Sequence, residues 1–159
     1  MPEQKIQTQS PETYFGASRN ELFGNGRQGS AYTDVFQIPA QLSANTFYLG
    51  GPWKMEKEYA ETSSSSMWPE KSSQVSYVFK ASNMYIVAQT ADSSMVEAQV
   101  LIDGKPIPAD KGGADVSNGK LIIDSSRLYH LFKAASAEAH RIDIIFSKPK
   151  VRIFTFTFG

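Results

Sequence analysis

The stretch IFTFTFG, residues 153–159, alternates phenylalanine with threonine. A period of two places successive side chains on opposite faces of a β-strand, so Phe154, Phe156 and Phe158 share one face. Each buried aromatic ring removes about 150–250 Å² of surface from water. We therefore predict that this stretch is a strand of a β-sheet and that its three rings lie in the hydrophobic core. The alternative is that the rings contact a ligand.

The same period of two recurs elsewhere in the chain. Apolar side chains occupy alternate positions in QVSYVFKA (74–81), VEAQVLI (96–102) and RIDIIF (141–146). Asp103-Gly104 follows the second of these segments and favours a two-residue hairpin turn with positive φ angles. Seven or eight short strands separated by turn residues are typical of an all-β sandwich or barrel. We predict an antiparallel β-sandwich.

Two segments interrupt the strand pattern. Ser82 and Asn83 separate two apolar runs and favour a tight connection between two strands. The alanine-rich segment KAASAEAH, residues 133–140, is long enough for one or two helical turns. The prediction is therefore a fold with almost no helix.

Length and composition are those of one ordinary globular domain. The chain has 159 residues, of which 41% are hydrophobic and 20% charged. Residues 1–13 are polar, and we assign them to a disordered or linker segment, with a single β-sandwich domain over residues 14–159. The first residues lack the apolar stretch of a secretory signal. No apolar run approaches the roughly 20 residues that span a membrane, so we expect no membrane contact by this chain.

Charge and cysteine content exclude several classes of function. Lys+Arg and Asp+Glu each number 16, so the formal net charge is zero. Nucleic-acid binding calls for a basic patch or stripe, and we expect no nucleic-acid partner. The chain contains no cysteine, so it has neither disulfides nor thiol redox chemistry of its own.

The sequence gives little support for catalysis. It has no G-x-S-x-G motif, and its two histidines, His130 and His140, lie in different segments. Glu56 and Glu58 could form the carboxylate pair of a glycoside hydrolase. Beside Lys54 they are more typical of a solvated strand surface. We therefore predict no catalytic residues and no enzymatic activity.

Aspartates in predicted loops raise the question of calcium, which prefers carboxylate oxygens. None of them has the spacing of an EF-hand, and turn chemistry accounts for aspartate in loops equally well. We predict no cofactor and assign no metal ligand, with calcium as the alternative. The aspartates concerned are Asp103, Asp110, Asp115 and Asp124.

Five segments, taken in order, resemble the C-terminal domain of DipZ-type thiol:disulfide interchange proteins. They are SPETYFGASRNELF (10–23), FYLGGPWKMEKEYA (47–60), VEAQVLIDGKPIP (96–108), SRLYHLF (126–132) and FTFTFG (154–159). The resemblance implies a jelly-roll β-sandwich similar to a carbohydrate-binding module. It also implies a thioredoxin-like domain as partner, carried by the same full-length protein, and a periplasmic or extracytoplasmic location. The chain itself would be a non-catalytic accessory module.

Candidate ligand contacts follow from the chemistry of sugar binding, which uses exposed aromatic rings. Trp68 lies in the serine-rich segment TSSSSMWPEKSS (62–73), which has no apolar period and is typical of a loop. Tyr48 and Tyr85 lie in strands, where either face could be the exposed one. We hypothesise that these three residues bind carbohydrate. The alternative for Trp68 is a ring that closes one end of the sandwich.

The polar-aromatic run ETYFGASR, residues 12–19, has a separate interpretation. Tyr14 and Arg19 are assigned to an interdomain or structural contact, because this segment adjoins the domain that the resemblance places before it. The second hypothesis for the whole chain follows from this assignment. In it the module docks the redox domain or a protein partner and binds no sugar.

Overall fold

A computed structural model describes residues 9–67 and 70–159, and within that part the regular structure consists of β-strands without helix. Every pairing between strands is antiparallel. The strands are β1 (Thr13–Tyr14), β2 (Tyr32–Phe36), β3 (Phe47–Met55), β4 (Ala60–Thr62), β5 (Gln74–Thr90), β6 (Val96–Ile102), β7 (Lys105–Pro106), β8 (Val116–Ser117), β9 (Lys120–Ile123), β10 (Arg127–Phe146) and β11 (Val151–Phe158).

Two long strands organise the sandwich. β5 has 17 residues and β10 has 20, and they pair with each other from Gln74–Ile145 to Ala88–Arg127. Along its other edge, β5 pairs first with β3 and then with β11. The short strand β4 pairs with both β3 and β11. The two layers are therefore joined by shared strands, and hydrogen bonds connect all eleven strands into one network. The prediction of an all-β antiparallel sandwich is confirmed.

The predicted connection at Ser82 and Asn83 is wrong, because β5 continues through both residues. The buried apolar side chains of β5 occupy odd positions up to Ala81 and even positions from Met84 onward. Reversing the alternation lets one strand supply core residues to both layers. The backbone of Asn83 pairs with Gly159, and Ser82 donates a hydrogen bond to the Gly159 carbonyl oxygen. Both polar residues thus form hydrogen bonds with the last residue of the chain.

The predicted helical turns in KAASAEAH are also wrong. This segment belongs to β10, where Lys133 pairs with Asn83 and Glu138 with Ala81. Residues 134–137 therefore form a bulge opposite Ser82. Alanine favours a helix only weakly, and the pairing on both sides of this segment decides its conformation.

The Asp103-Gly104 turn is confirmed. The φ angles of the two residues are 52° and 84°, and they join β6 to β7 through the pair Ile102–Lys105. Positive φ at both positions is the signature of the type I′ hairpin turn that the dipeptide predicts.

The prediction for the three rings of β11 is right for two of them and wrong for the third. Phe156 is fully buried, with its ring centroid 5.4 Å from that of Tyr77, and Phe158 is also buried. The pairing of β11 with β5 shifts between Ile153 and Thr155, so Phe154 is the extra residue of a β-bulge. A bulge reverses the alternation, and Phe154 consequently lies half-buried on the outer face.

The fold includes residues that the sequence assigned to a linker. Ser10 donates a backbone hydrogen bond to Lys80, and its hydroxyl donates to Asn45 at 2.6 Å. Thr13 is fully buried and pairs with Phe156 as the first residue of β1. Residues 10–20, here called the leading segment, are thus bound to the sandwich from Ser10 onward.

Candidate functional site

A cleft of about 290 Å³ lies between the leading segment, the turn after β3 and the outer face of β11. It contains aromatic, basic, acidic and hydroxyl side chains within one concave surface. Its lining residues are Tyr14, Gly16, Ser18, Arg19, Lys57, Glu58, Phe154 and Thr155.

Strand alternation sets the orientation of the leading segment. Thr13 and Phe15 are fully buried, whereas Tyr14 between them is only half-buried. The ring of Phe15 packs 4.2 Å from that of Phe47 and 4.9 Å from that of Phe156, measured between centroids. These inward contacts leave the ring of Tyr14 on the outer face, at the cleft.

The far wall of the cleft is held by backbone hydrogen bonds. Ala17 donates to the carbonyl oxygen of Glu56 at 2.7 Å, and Ser18 donates to that of Lys57 at 3.1 Å. Gly16 permits this close approach, because a Cβ atom there would lie only 2.5 Å from the carbonyl oxygen of Lys57. Glycine is therefore required by space at this position.

Arg19 and Tyr14, which the sequence analysis assigned to one contact region, lie against each other in the structure. The guanidinium carbon of Arg19 is 3.6 Å from the centroid of the Tyr14 ring, which is a cation–π contact. Among the described residues, the Arg19 side chain has no hydrogen bond and no ion pair with a carboxylate. Its N–H groups therefore face solvent at the edge of the cleft.

The ring of Phe154, which lines the cleft, also contacts the ring of Tyr59 beside the cleft. Its ring centroid lies 5.4 Å from that of Tyr59, and the guanidinium of Arg152 lies 4.7 Å from the Tyr59 ring. Arg152 donates to Glu61 at 2.8 Å, and this hydrogen bond raises the pKa of the guanidinium. The charge of Arg152 is thus already balanced within the protein.

Sequence reasoning missed four residues of the cleft, namely Lys57, Glu58, Phe154 and Thr155. Phe154 was placed in the core because simple alternation does not reveal a bulge. Lys57 and Glu58 are exposed, and sequence gave no sign that the leading segment folds back onto them. The run ETYFGASR, residues 12–19, which contains Tyr14 and Arg19, was the only indication of a site in this region.

Tyr48 and Tyr85, two of the three residues proposed to bind sugar, do not line the cleft. Tyr48 is 7% exposed, and its hydroxyl accepts a hydrogen bond from the backbone of Ser43. The Tyr85 ring is half-buried and stacks on His130, with 4.7 Å between the centroids. Trp68 lies outside the described residues. Sugar binding by these three residues stays a prediction.

The two histidines are held by protein groups. The Nδ1 atom of His130 accepts a hydrogen bond from the backbone of Ala114 at 3.1 Å, and Nε2 lies 2.9 Å from Oδ1 of Asn83. His140 lies between two carboxylates, with Nδ1 2.6 Å from Asp103 and Nε2 2.9 Å from Glu138. Burial disfavours its charge, but these hydrogen bonds outweigh burial and raise the pKa of His140.

Three of the four loop aspartates have protein partners, and for Asp124 the partner is the Ser125 hydroxyl, which donates at 3.3 Å. Asp103 contacts His140, and Asp115 accepts a hydrogen bond from Arg127 at 2.9 Å. Within residues 9–67 and 70–159, no group of three or more His, Cys, Asp or Glu side chains is placed to hold a metal ion. The described part of the chain also contains no helix that is long and apolar enough to cross a bilayer.

Comparison with known families identifies the family to which this chain belongs. The model of the family described as "Thioredoxin like C-terminal domain" matches residues 10–159. The chain belongs to the thioredoxin-like C-terminal domain family. The match begins at Ser10, the residue at which the leading segment joins the sandwich.

Curated relatives of this thioredoxin-like C-terminal domain include Protein DipZ of Mycobacterium bovis and Protein DipZ of Mycobacterium tuberculosis. Each is 25% identical over 150 residues, which are 94% of this chain. The chain spans only 18% of the length of these relatives. The predicted relationship to the C-terminal domain of DipZ-type proteins is confirmed.

Among solved structures, the domain is similar to a family two carbohydrate esterase from Cellvibrio japonicus. The TM-score is 0.53 with 14% sequence identity, over 81% of this chain and 33% of the esterase chain. A similarity at this level of identity concerns the fold alone. It agrees with the predicted jelly-roll-like, carbohydrate-binding-module-like sandwich.

Proposed function

We propose that this domain is a non-catalytic accessory module of a DipZ-like redox protein and that it binds carbohydrate in the cleft beside Tyr14. The family relationship supports the accessory role, since the DipZ relatives are far longer than this chain. Thiol–disulfide exchange requires a thiolate, which a chain without cysteine does not supply. The redox chemistry would lie in a thioredoxin-like domain of the full-length protein, on the extracytoplasmic side of the membrane.

The observation that carries the sugar-binding proposal is the composition of the cleft. Tyr14 and Phe154 supply apolar ring surface, on which the apolar face of a sugar ring can pack. Arg19 and Lys57 are donors and Glu58 is an acceptor for hydroxyl groups. The volume of about 290 Å³ is at the small end of ligand pockets and suits one or two sugar units.

The test is a calorimetric titration of the domain with a panel of neutral and acidic oligosaccharides. A dissociation constant near 1 mM, or ~−4 kcal/mol, is expected for a weak module of this kind. Tyr14→Ala and Phe154→Ala should abolish binding without unfolding the domain. Tyr32→Ala is the matched control, because Tyr32 also lies under an arginine but outside the cleft. Trp68→Ala in the same titration tests the residue predicted from sequence.

One observation favours a second candidate, which is docking of a thioredoxin-like domain. The leading segment itself forms one wall of the cleft, so a domain placed before it would be close to Tyr14 and Arg19. In that case an Arg19→Glu substitution in the full-length protein should weaken the contact between the two domains. Hydrogen exchange of the cleft, measured with and without the thioredoxin-like domain, distinguishes docking from sugar binding.

A further inference from the structure

We propose that the carbohydrate bound in the cleft is an acidic one, a uronic acid whose carboxylate pairs with Arg19. This inference rests on the carbohydrate-binding function proposed above and specifies its ligand class. The charges of the lining residues motivate it, because the cleft contains two cations, Arg19 and Lys57, and one carboxylate, Glu58. None of these three side chains has an ion-pair partner among the described residues.

Comparison of the four stacked arginines of the structure singles out Arg19. Arg127 lies 3.9 Å from the Tyr129 ring and is paired with Asp115, and Arg152 lies over Tyr59 and is paired with Glu61. These two arginines have their charge balanced by a protein carboxylate.

The other two stacked arginines, Arg19 and Arg27, have no carboxylate partner within the described residues. Arg27 lies 3.8 Å from the Tyr32 ring, outside the cleft. Arg19 is therefore the stacked arginine that combines an unpaired guanidinium with a concave, aromatic-lined surface.

Stacking prepares Arg19 to bind a carboxylate. The contact with Tyr14 uses the face of the guanidinium and leaves its N–H edge available. A planar guanidinium edge matches the two oxygens of a carboxylate and forms a bidentate, charge-assisted pair. Lys57 adds a second positive charge at the cleft, and Glu58 remains available to accept hydrogen bonds from sugar hydroxyls.

The experiment compares trisaccharides of galacturonic, glucuronic, mannuronic and guluronic acid with their methyl esters, which keep the sugar and remove the charge. We expect at least one acid to bind about tenfold more tightly than its ester, as a charge-assisted pair would give. Arg19→Gln should remove this difference, whereas Arg27→Gln should preserve it. Both arginines are exposed, so neither variant should alter folding.

The possible failures are distinguishable. If acid and ester bind equally, or if only neutral oligosaccharides bind, the inference is overturned while carbohydrate binding stands. If Arg19→Gln and Arg27→Gln reduce the preference for acid alike, the effect is general charge attraction and Arg19 is not the partner. If no member of the acidic or neutral panel binds, the proposed carbohydrate function fails, and the inference fails with it.

Discussion

The hydroxyl oxygens of Thr13 and Tyr77 lie 2.9 Å apart in the buried interior. Thr13 donates its own proton to the carbonyl oxygen of Pro11 at 3.0 Å, so Tyr77 is the donor in the shared bond. Burial raises the pKa of the Tyr77 hydroxyl, which keeps it protonated and able to donate. This contact ties the leading segment, and with it one wall of the cleft, to the first part of β5.

Thr13→Val should therefore destabilise the domain although it keeps the shape of the side chain. The substitution leaves the buried Tyr77 hydroxyl without its acceptor, at a cost of about 1–3 kcal/mol. Chemical denaturation measures the free energy of unfolding. Thr157→Val is the control, because Thr157 lies on β11 and its side chain has no hydrogen bond to any residue that the structure describes. Equal losses in the two variants would contradict a special role for the Thr13–Tyr77 contact.

Phe156→Ala and Phe154→Ala should differ sharply in stability although they lie two positions apart on one strand. Removal of the fully buried Phe156 ring should cost about 3–5 kcal/mol. The melting temperature should fall by more than about 8 °C. Phe154 is half-buried on the outer face, so its loss should cost much less. Thermal unfolding of the two variants tests the position of the bulge. Similar decreases in melting temperature would show that Phe154 belongs to the core.

Gly16→Ala should displace the leading segment from the turn after β3. The added methyl group would overlap the backbone of Lys57 and Glu58, and overpacking of this kind typically costs about 1–3 kcal/mol. Gly112→Ala is the matched control, since a Cβ atom there meets nothing closer than 3.6 Å and the φ angle is not positive. Unfolding midpoints of the two variants should separate clearly. A tolerated Gly16→Ala would mean that the segment approaches the turn less closely.

The environment of His140 predicts a pH dependence of stability. Both ring nitrogens face carboxylates, and only the doubly protonated imidazolium can donate to both. The folded-state pKa is raised, so the stabilisation is fully present below the ordinary histidine pKa of about 6.5 and is lost as the pH rises through the folded value. We expect the free energy of unfolding to fall as the pH rises above about 6.5 and through the raised folded-state pKa of this group.

The groups around His140 set the control for that experiment. Asp103 and Glu138 have lowered pKa values, so their contribution is lost only as the pH falls toward the acidic range. Lys111 also pairs with Glu138, at 2.7 Å. His140→Gln should therefore flatten the profile above about pH 6.5. Glu97→Gln, which removes an exposed ion pair with Lys120, should leave the slope unchanged.

The sequence predicted those parts of the fold that depend on local pattern. Asp103-Gly104 needs positive φ angles in a two-residue turn, and the structure places it in one. The alternation of apolar residues around Tyr77 and Phe156 likewise predicted which face of each strand is buried. These features depend on residues that are close together in the sequence, so the sequence alone is enough to predict them.

Three errors in the strand predictions share one physical cause, which is a change of alternation inside a strand. The bulge at Phe154, the reversal after Ala81 and the bulge at residues 134–137 all depend on how distant strands pair. The cleft depends on the first of these, because the bulge turns Phe154 outward beside Tyr14. Because the cleft depends on an irregularity in strand pairing, its residues could be predicted from the sequence only in part.

The shared strands also determine how the chain acquires its structure. β5 lies between β10 on one edge and β3 followed by β11 on the other, and Gln74 pairs with Ile145. Contacts so far apart in the sequence slow folding, because a long loop must close before they form. During synthesis, the backbone N–H and C=O groups on one edge of β5 would stay without strand partners until β10 is made. Neither layer can form first as an independent unit, so the sandwich should assemble late, in a single cooperative step.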